Sequence, residues 1–382
     1  MTNEYDVVVA GGSVAGLAFA SEAAKRGAKV LVAEEHPEIG EPEKCDGLVS
    51  LRGLRKYGYP PGPASVQNKI FSAVFHSPSG RHFAVNATAL DVVVLDRSAF
   101  DKEVAASAER NGAVVSLRTR VARAEQKGDR MEVSVGGEKV ISKLFVDATG
   151  PASSPRRGII PAAKYELEGD WIREHVVEVF VDAARYPGFF AWVIPFGGHR
   201  AKVGAAGYGV SPYKALEGFL AGRSFNVLRR VTAPIYVGGP AADFVEGRKI
   251  YVGESAGQVK PTTAGGIMTS IAGAVMAAKW ACASIEQDKP ALLERYQREW
   301  EVAFLKEMKA MLRLRGVFEK LSDSDLEAVF TSLATPKLVL RLSQTDFDFH
   351  ATALLGALGV GGLLRIARVV ASAEVRSLLV EG

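Results

Sequence analysis

The stretch that most constrains this chain is DVVVAGGSVAG, residues 6–16. A compact apolar strand, Tyr5–Ala10, runs into a small-residue turn. A helix, Leu17–Arg26, follows and stops at Gly27, and a second strand, Lys29–Ala33, completes a βαβ unit. Such a unit commits the chain to a parallel sheet. The turn has GxGxxG spacing, with Gly11, Ser13 and Gly16 at the marked positions. Gly11 serves the tight turn and Gly16 lets helix and strand approach. The first helical turn, with Ala15, aims backbone N–H groups at a diphosphate. Ser13 replaces the usual second glycine with a small side chain able to donate to phosphate. Glu34 stands at the end of the second strand, where an acid holds ribose hydroxyls and disfavours a 2′-phosphate.

Three later junctions have the same character. In VVLDRSAFD, Arg97 sits between a strand and a helix, where its fork can reach a phosphate or the loop around a cofactor. In FVDATGPASS, the small residues Ala148 and Gly150 let backbone approach a ligand. In IYVGESAGQVKPTTAGGIM, a strand meets a turn carrying Glu254. Pro261, Gly265 and Gly266 then open a helix whose N-terminus suits an electron-rich ring.

The rest of the pattern is mixed. Ile70–His76 and Arg81–Val85 read as a hairpin about the turn SPSG, and Val92–Leu95 as a short strand. Ser98–Asn111 reads as a helix stopped by Gly112. Met131–Val135 and Lys139–Val146 flank Gly136-Gly137 as a meander. From about residue 155 to 245 strands dominate, and beyond Pro290 the pattern is helical and charge-laced. This predicts an α/β fold with a Rossmann-like, discontinuous nucleotide-binding domain over residues 1–60, 91–155 and 246–290. An inserted antiparallel β-rich domain is expected over 61–90 and 156–245, and a helical C-terminal region over 291–382. At 382 residues the chain is long enough for that.

Residues 187–198, PGFFAWVIPFGG, place Phe190, Trp192 and Ile194 at every second position before Pro195. Alternation predicts a strand with one buried face. Core, a flavin ring and an apolar substrate are all consistent with what that face meets. Thr262–Ala278 reads as a buried helix. Ala351–Leu364 is too short to span a bilayer, and a core helix and an interfacial anchor both fit it. Two cysteines, Cys45 and Cys282, make no disulfide framework and suit a reducing cytoplasm. No HxH or HExxH pairing points to a metal site. The net charge of +4 is dispersed, with no basic block of the kind that binds nucleic acid.

The four junctions together resemble the FAD-binding fold of the glutathione-reductase type, in the branch shared by aromatic hydroxylases, flavin halogenases and geranylgeranyl reductases. The resemblance covers roughly residues 5–290. It implies that Gly11–Gly16 bind the diphosphate of FAD, that Glu34 holds ribose and that Arg97 lies near the cofactor. Glu254 takes the place of the aspartate that holds ribitol, one methylene longer. PEIGEPEKCDG, residues 37–47, is similar to the geranylgeranyl reductase family, archaeal digeranylgeranylglycerophospholipid reductase-like members included, and Cys45 matches the cysteine of that family. Pro187, Phe190, Trp192, Ile194 and Pro195, followed by Gly204, resemble its PxxYxWxFP motif, with Phe190 and Ile194 in place of Tyr and Phe. The halogenase motif WxWxIP fits FAWVIP at every specified position but the first, so this stretch does not separate the two families. SDSDLEAV, residues 322–329, resembles the tail of the archaeal reductases.

The family implies a flavoenzyme that saturates isoprenoid double bonds of a lipid or prenyl quinone. A monooxygenase or halogenase acting on an apolar or aromatic substrate, and a non-catalytic flavin or lipid carrier, stand as alternatives. In the first reading Cys45 is a candidate acid near the flavin, with a small buried hydrophobe as the plainer reading. Phe190, Trp192, Ile194 and Pro195 line the substrate. NAD(P)H or a ferredoxin supplies electrons, and a cytoplasmic protein in peripheral contact with the inner membrane surface is expected.

Overall fold

The opening strand layers the molecule. In the computed structural model, which describes residues 4–150 and 158–352, β1 (Glu4–Ala10) is buried on both faces over its last four residues. Val7 and Val9 join one core cluster, and Val8 and Ala10 join another. A strand buried on both faces needs parallel neighbours and a cover on each side. β1 lies between β2 (Val30–Ala33) and β11 (Glu138–Asp147), both parallel to it. Parallel pairing continues outward to β8 (Val114–Ser116) and to β20 (Lys249–Tyr251), and β19 (Val245–Glu246) closes that edge antiparallel. Helices α1 (Val14–Lys25), α3 (Arg97–Arg110) and α5 (Ile267–Gln287) cover one face. The meander β9 (Val121–Lys127), β10 (Arg130–Val135) and β11 covers the other, through Met131, Val133 and Val135.

Two further sheets build the second half. β3 (Leu48–Ser50), β7 (Val92–Leu95) and β4 (Val66–Ile70) form a three-stranded sheet, with α2 (Leu51–Lys56) after β3. The larger sheet runs in the order β17 (Asn226–Thr232), β13 (Ala162–Glu168), β16 (Arg200–Ala206), β15 (Ala191–Gly197), β14 (Val176–Phe180), β5 (Ser72–His76) and β6 (His82–Asn86). It is antiparallel except where β14 runs parallel to β5. A short pair, β12 (Ile159–Ile160) with β18 (Ile235–Tyr236), lies beside it, and α4 (Pro212–Leu220) covers β13 and β16. The expected hairpin about SPSG is β5–β6, but Ile70 belongs to β4, because the chain passes between sheets at Phe71.

The C-terminal helices α6 (Glu294–Phe318), α7 (Asp323–Leu333) and α8 (Pro336–Leu342) follow. SDSDLEAV opens α7 through a capping box, in which Ser322 and Asp325 satisfy each other's backbone N–H groups. Leu321, Leu326 and Phe330 pack on Val181 at the β5–β6 end of the large sheet.

Two expectations change. The helix expected over Thr262–Ala278 begins five residues later, at Ile267, and runs to Gln287. Ala264 has φ +56° and Gly266 is the N-cap, so Lys260–Gly266 is a closed loop rather than a first turn. Among the described residues α5 is long and apolar enough to cross a membrane, but 72% of its apolar window is buried within this fold, against α1 and α6. Secondly, β15 is buried on both faces rather than one. It is a central strand, with Trp192, Ile194 and Phe196 in one cluster and Ala191 and Val193 in another. Of Ala351–Leu364, all but Ala351 and Thr352 lie outside the described residues, as do Pro151–Ser154 of the third junction.

Candidate functional site

The glycine-rich turn is shaped by close approach. A Cβ on Gly16 would stand 2.1 Å from the Gly11 carbonyl oxygen, and one on Gly11 would stand 2.6 Å from that of Ala148. Gly11 also has φ +101°, so only glycine suits it. The turn therefore lies against the DATG junction, where Ala148 N–H donates to the Ala10 carbonyl. Ser13 is exposed at the N-cap of α1 with no side-chain cap, and its Oγ donates weakly to the Ala148 carbonyl at 3.4 Å. Ala15 touches the fourth junction, since a Cβ on Gly253 would lie 2.7 Å from its methyl group.

Glu34 reaches back into this turn from the end of β2. Gly12 N–H donates to its Oε2 at 2.6 Å, and His36 N–H to its Oε1 at 2.9 Å. A carboxylate has about four acceptor sites, so capacity remains for a ribose hydroxyl. Gly150 and Glu254 face each other: a Cβ on Gly150 would lie 3.9 Å from Glu254 Oε2. Ser255 ties the two junctions, accepting from Gly150 N–H at 2.8 Å and donating to Asp147 Oδ1 at 3.1 Å. Pro261, Gly265 and Gly266 close the loop ahead of α5, where Lys260 N–H donates to the Gly265 carbonyl at 3.0 Å. Four separated segments thus converge on one side of the parallel sheet, with an uncapped helix N-terminus at each of α1 and α5. That cradle of close-approach glycines and acids fits FAD.

Arg97 is paired inside the protein. Its guanidinium is held in a two-pronged pair with Asp101, Nε to Oδ1 at 3.0 Å and Nη2 to Oδ2 at 2.9 Å. Burial opposes the charge, but Asp101 and Cys45 outweigh it and hold the Arg97 pKa above its ordinary value. Nε and Nη2 are engaged inside the protein, one helical turn from Asp101 on α3, and Asp101 is the more buried of the two. Arg97 therefore lies beside the Cys45 loop, the second of the two places its fork was expected to reach.

Cys45 is half-buried, and Gly47 N–H donates to its Sγ at 3.4 Å. Its loop is covered by one face of the large sheet. Lys164 Nζ donates to the Cys45 carbonyl at 2.9 Å, and Lys202 Nζ to Glu43 Oε1 at 2.6 Å. The same face carries Trp192 and Ile194, both 7% exposed. Their cluster includes Val92 and Val94 of β7 and takes in Phe190, Leu48 and Ala264 at its margin. Phe189 and Phe190 stack at 4.0 Å, each edge-on to Trp192. Pro195, expected to line the substrate with them, alternates instead with Ala191 and Val193 on the opposite face, and its carbonyl accepts from Asn68 Nδ2 at 2.9 Å. Phe190, Trp192 and Ile194 thus face the loop that precedes α5 as well as the three-stranded sheet. The indole Nε1 of Trp192 is buried with no hydrogen-bond partner.

The sequence reading missed Asp101, Glu43, Lys164, Lys202 and Arg229. A signal was present for the lysines: AAKYELE and RAKVGAA each place charged residues at alternating positions, Lys164 with Glu166 and Glu168, and Lys202 with Arg200, in strands whose other face is small or apolar.

Comparison with known proteins gives the same picture. Residues 6–155 match the family described as FAD dependent oxidoreductase. The chain is 32% identical over 363 residues to digeranylgeranylglycerophospholipid reductase 2 of Methanopyrus kandleri, covering 86% of this chain and 90% of that protein. Its fold is similar to that of a geranylgeranyl bacteriochlorophyll reductase-like protein from Thermoplasma acidophilum, with a TM-score of 0.87 at 21% identity over 96% of this chain and 99% of that one. The halogenase PltM is similar in fold at a TM-score of 0.69 and 16% identity, over 96% of this chain and 86% of that one. Halogenases thus share the scaffold, whereas the relationship in sequence extends along most of the archaeal reductase. The chain belongs to the digeranylgeranylglycerophospholipid reductase family of FAD-dependent oxidoreductases.

Proposed function

We propose that this protein saturates the isoprenoid double bonds of a geranylgeranyl-type lipid. The observation that carries the reading is the meeting of the Cys45 loop and the Trp192 face beside the loop that precedes α5. Reduced FAD, when bound, supplies a hydride to one carbon of the alkene. The chain's own residues have the remaining tasks. A proton added to the second carbon leaves positive charge on the first, which is the carbon that takes the hydride, so a proton donor is needed at the second carbon. Cys45 Sγ is the donor, and the thiolate left behind lies beside the Arg97 guanidinium until water reprotonates it. Phe190, Trp192 and Ile194 give an apolar wall that suits a prenyl chain and keeps water from the reacting carbons. Gly11–Gly16, Glu34 and Glu254 hold the cofactor.

The chain carries one dinucleotide fingerprint, so the electron donor, NAD(P)H or a ferredoxin, docks transiently. The lipid substrate brings the protein to the membrane surface as a peripheral visitor. The test is an anaerobic one. Purified holoenzyme is reduced chemically, a geranylgeranylated glycerophospholipid is added, and flavin reoxidation and product mass are followed. Gain of hydrogen pairs with reoxidation in the absence of oxygen is expected. Reoxidation only with dioxygen, with oxygen or halogen in the product, overturns the proposal.

A further inference from the structure

The loop that carries Cys45 packs against the apolar core and is also held by charge. Three basic side chains on adjacent strands reach it. Lys202, 1% exposed, donates to Glu43 Oε1 at 2.6 Å and to the Asp46 carbonyl at 3.4 Å. Lys164, 4% exposed, donates to the Cys45 carbonyl at 2.9 Å, with Asp46 Oδ1 3.1 Å away. Arg229 donates to the Glu43 carbonyl and carboxylate, both at 3.3 Å, and to Glu166 Oε1 at 2.6 Å.

The ladder explains why these groups meet. Arg229 lies opposite Glu166, and Glu166 opposite Lys202. Lys164 precedes Glu166 by two residues, hence on the same face. Lys164 in turn lies opposite Gly204, and Gly204 opposite Trp192. A Cβ on Gly204 would stand 2.3 Å from the indole, so the Trp192 ring roofs the glycine and extends toward Lys164. One cross-strand row therefore joins Trp192, Gly204 and Lys164, and its last member ends on the backbone of Cys45. Burying a lysine is costly unless it is paired and hydrogen-bonded. An apolar side chain would fill this place with less penalty, but it would not fix the direction or distance of a carbonyl.

We infer that Lys164 is a positioning residue for Cys45, setting the distance between the thiol and the Trp192 wall. The inference rests on the reading of Cys45 as the proton donor and adds the group that aims it. Lys164 itself touches no substrate and acts through the Cys45 carbonyl.

Lys164→Met, which keeps the length and removes the charge, tests this in the FAD-loaded protein. The first readout needs no turnover: the rate at which iodoacetamide alkylates Cys45, followed by mass spectrometry. Cys282, whose thiol burial pushes up to about 11, is the internal standard. The Cys45 rate is expected to rise about threefold or more as the loop loosens, with Cys282 unchanged. The second readout is a split: kcat falls by about one to two orders of magnitude while KM stays nearly constant, and Lys164→Arg restores part of it. The third is the same substitution in a Cys45→Ser background, where its effect on kcat should vanish.

An unchanged Cys45 alkylation rate, or a kcat loss that persists in full without Cys45, overturns the inference. If Lys164→Met fails to hold FAD, Arg229→Gln at the more exposed end of the same clasp takes its place, and a wild-type alkylation rate there is equally decisive against it. If Cys45→Ser turns over at the wild-type rate, the proton-donor reading fails, while the alkylation result still decides whether Lys164 holds the loop.

Discussion

Single side chains at this site have separable tasks. Cys45 has its carbonyl on Lys164 and its thiol beside Arg97, so position and electrostatics reach it from different elements. A serine there keeps the size but is a far weaker acid. Cys45→Ser is expected to lower turnover by about 10²-fold, within the range for a general acid, with FAD still bound; absorbance of the purified holoprotein and single-turnover kinetics check both halves. Gly204 is required for a different reason. Alanine would place its Cβ 2.3 Å from the Trp192 ring, which is itself fixed by Phe189 and Phe190. Gly204→Ala should cost about 1–3 kcal/mol by overpacking, seen as a lower thermal midpoint together with a shift in tryptophan emission. A midpoint equal to wild type would show that the ring has room to move.

Among elements, the clasp on the Cys45 loop is sensitive to acid. Burial pushes the Glu43 carboxyl up, but Lys202, Lys164 and Arg229 outweigh burial and hold it below its ordinary value. A carboxylate with a depressed folded pKa contributes stability above its unfolded value and loses it as pH falls through the folded one. The unfolded value for glutamate is about 4.3. The contribution is therefore complete at neutral pH and disappears only below about pH 4. Urea midpoints measured from pH 6 to 3 should fall more steeply for the wild type than for Glu43→Gln. The variant should also be weaker at pH 7, because Lys202 then stays buried without its counter-charge. Equal slopes for the two proteins would mean that Glu43 is not titrating in the clasp.

At the scale of the whole molecule, α6 ties the two halves of the site. Arg315, 6% exposed, donates through Nη1 to the Pro261 carbonyl at 3.3 Å and through Nη2 to the Gly188 carbonyl at 2.9 Å. One carbonyl belongs to the loop that precedes α5 and the other to the approach to the aromatic strand. Its guanidinium also lies 5.5 Å from the centre of the Phe189 ring. A second buried pair, Lys260 with Asp348 at 2.8 Å, fastens the segment beyond α8 to the same loop. Arg315→Met leaves two carbonyls without their donor and should cost about 1–3 kcal/mol. The expected result is a lower thermal midpoint together with faster loss of FAD, followed by flavin fluorescence on dilution. A lower midpoint with unchanged FAD release would confine the role of Arg315 to stability.

The sequence by itself determined the beginning of the fold and the outline of the cofactor cradle. Gly11, Gly16, Glu34 and the small residues of the later junctions could be read because their constraints are local: a turn, a helix N-terminus, a strand end. The relationship to the reductase family was legible at Cys45 for the same reason, in a short contiguous stretch. Tertiary structure alone decided what those residues meet. Arg97 was open to a phosphate or a neighbouring loop, and only the fold showed it paired with Asp101 beside Cys45. The alternation of PGFFAWVIPFGG predicted one buried face, but a period of two says which residues share a face and not how many faces are covered. Lys164, Lys202 and Arg229 were least legible, since cross-strand register places them, and the loop they meet lies more than a hundred residues away in sequence.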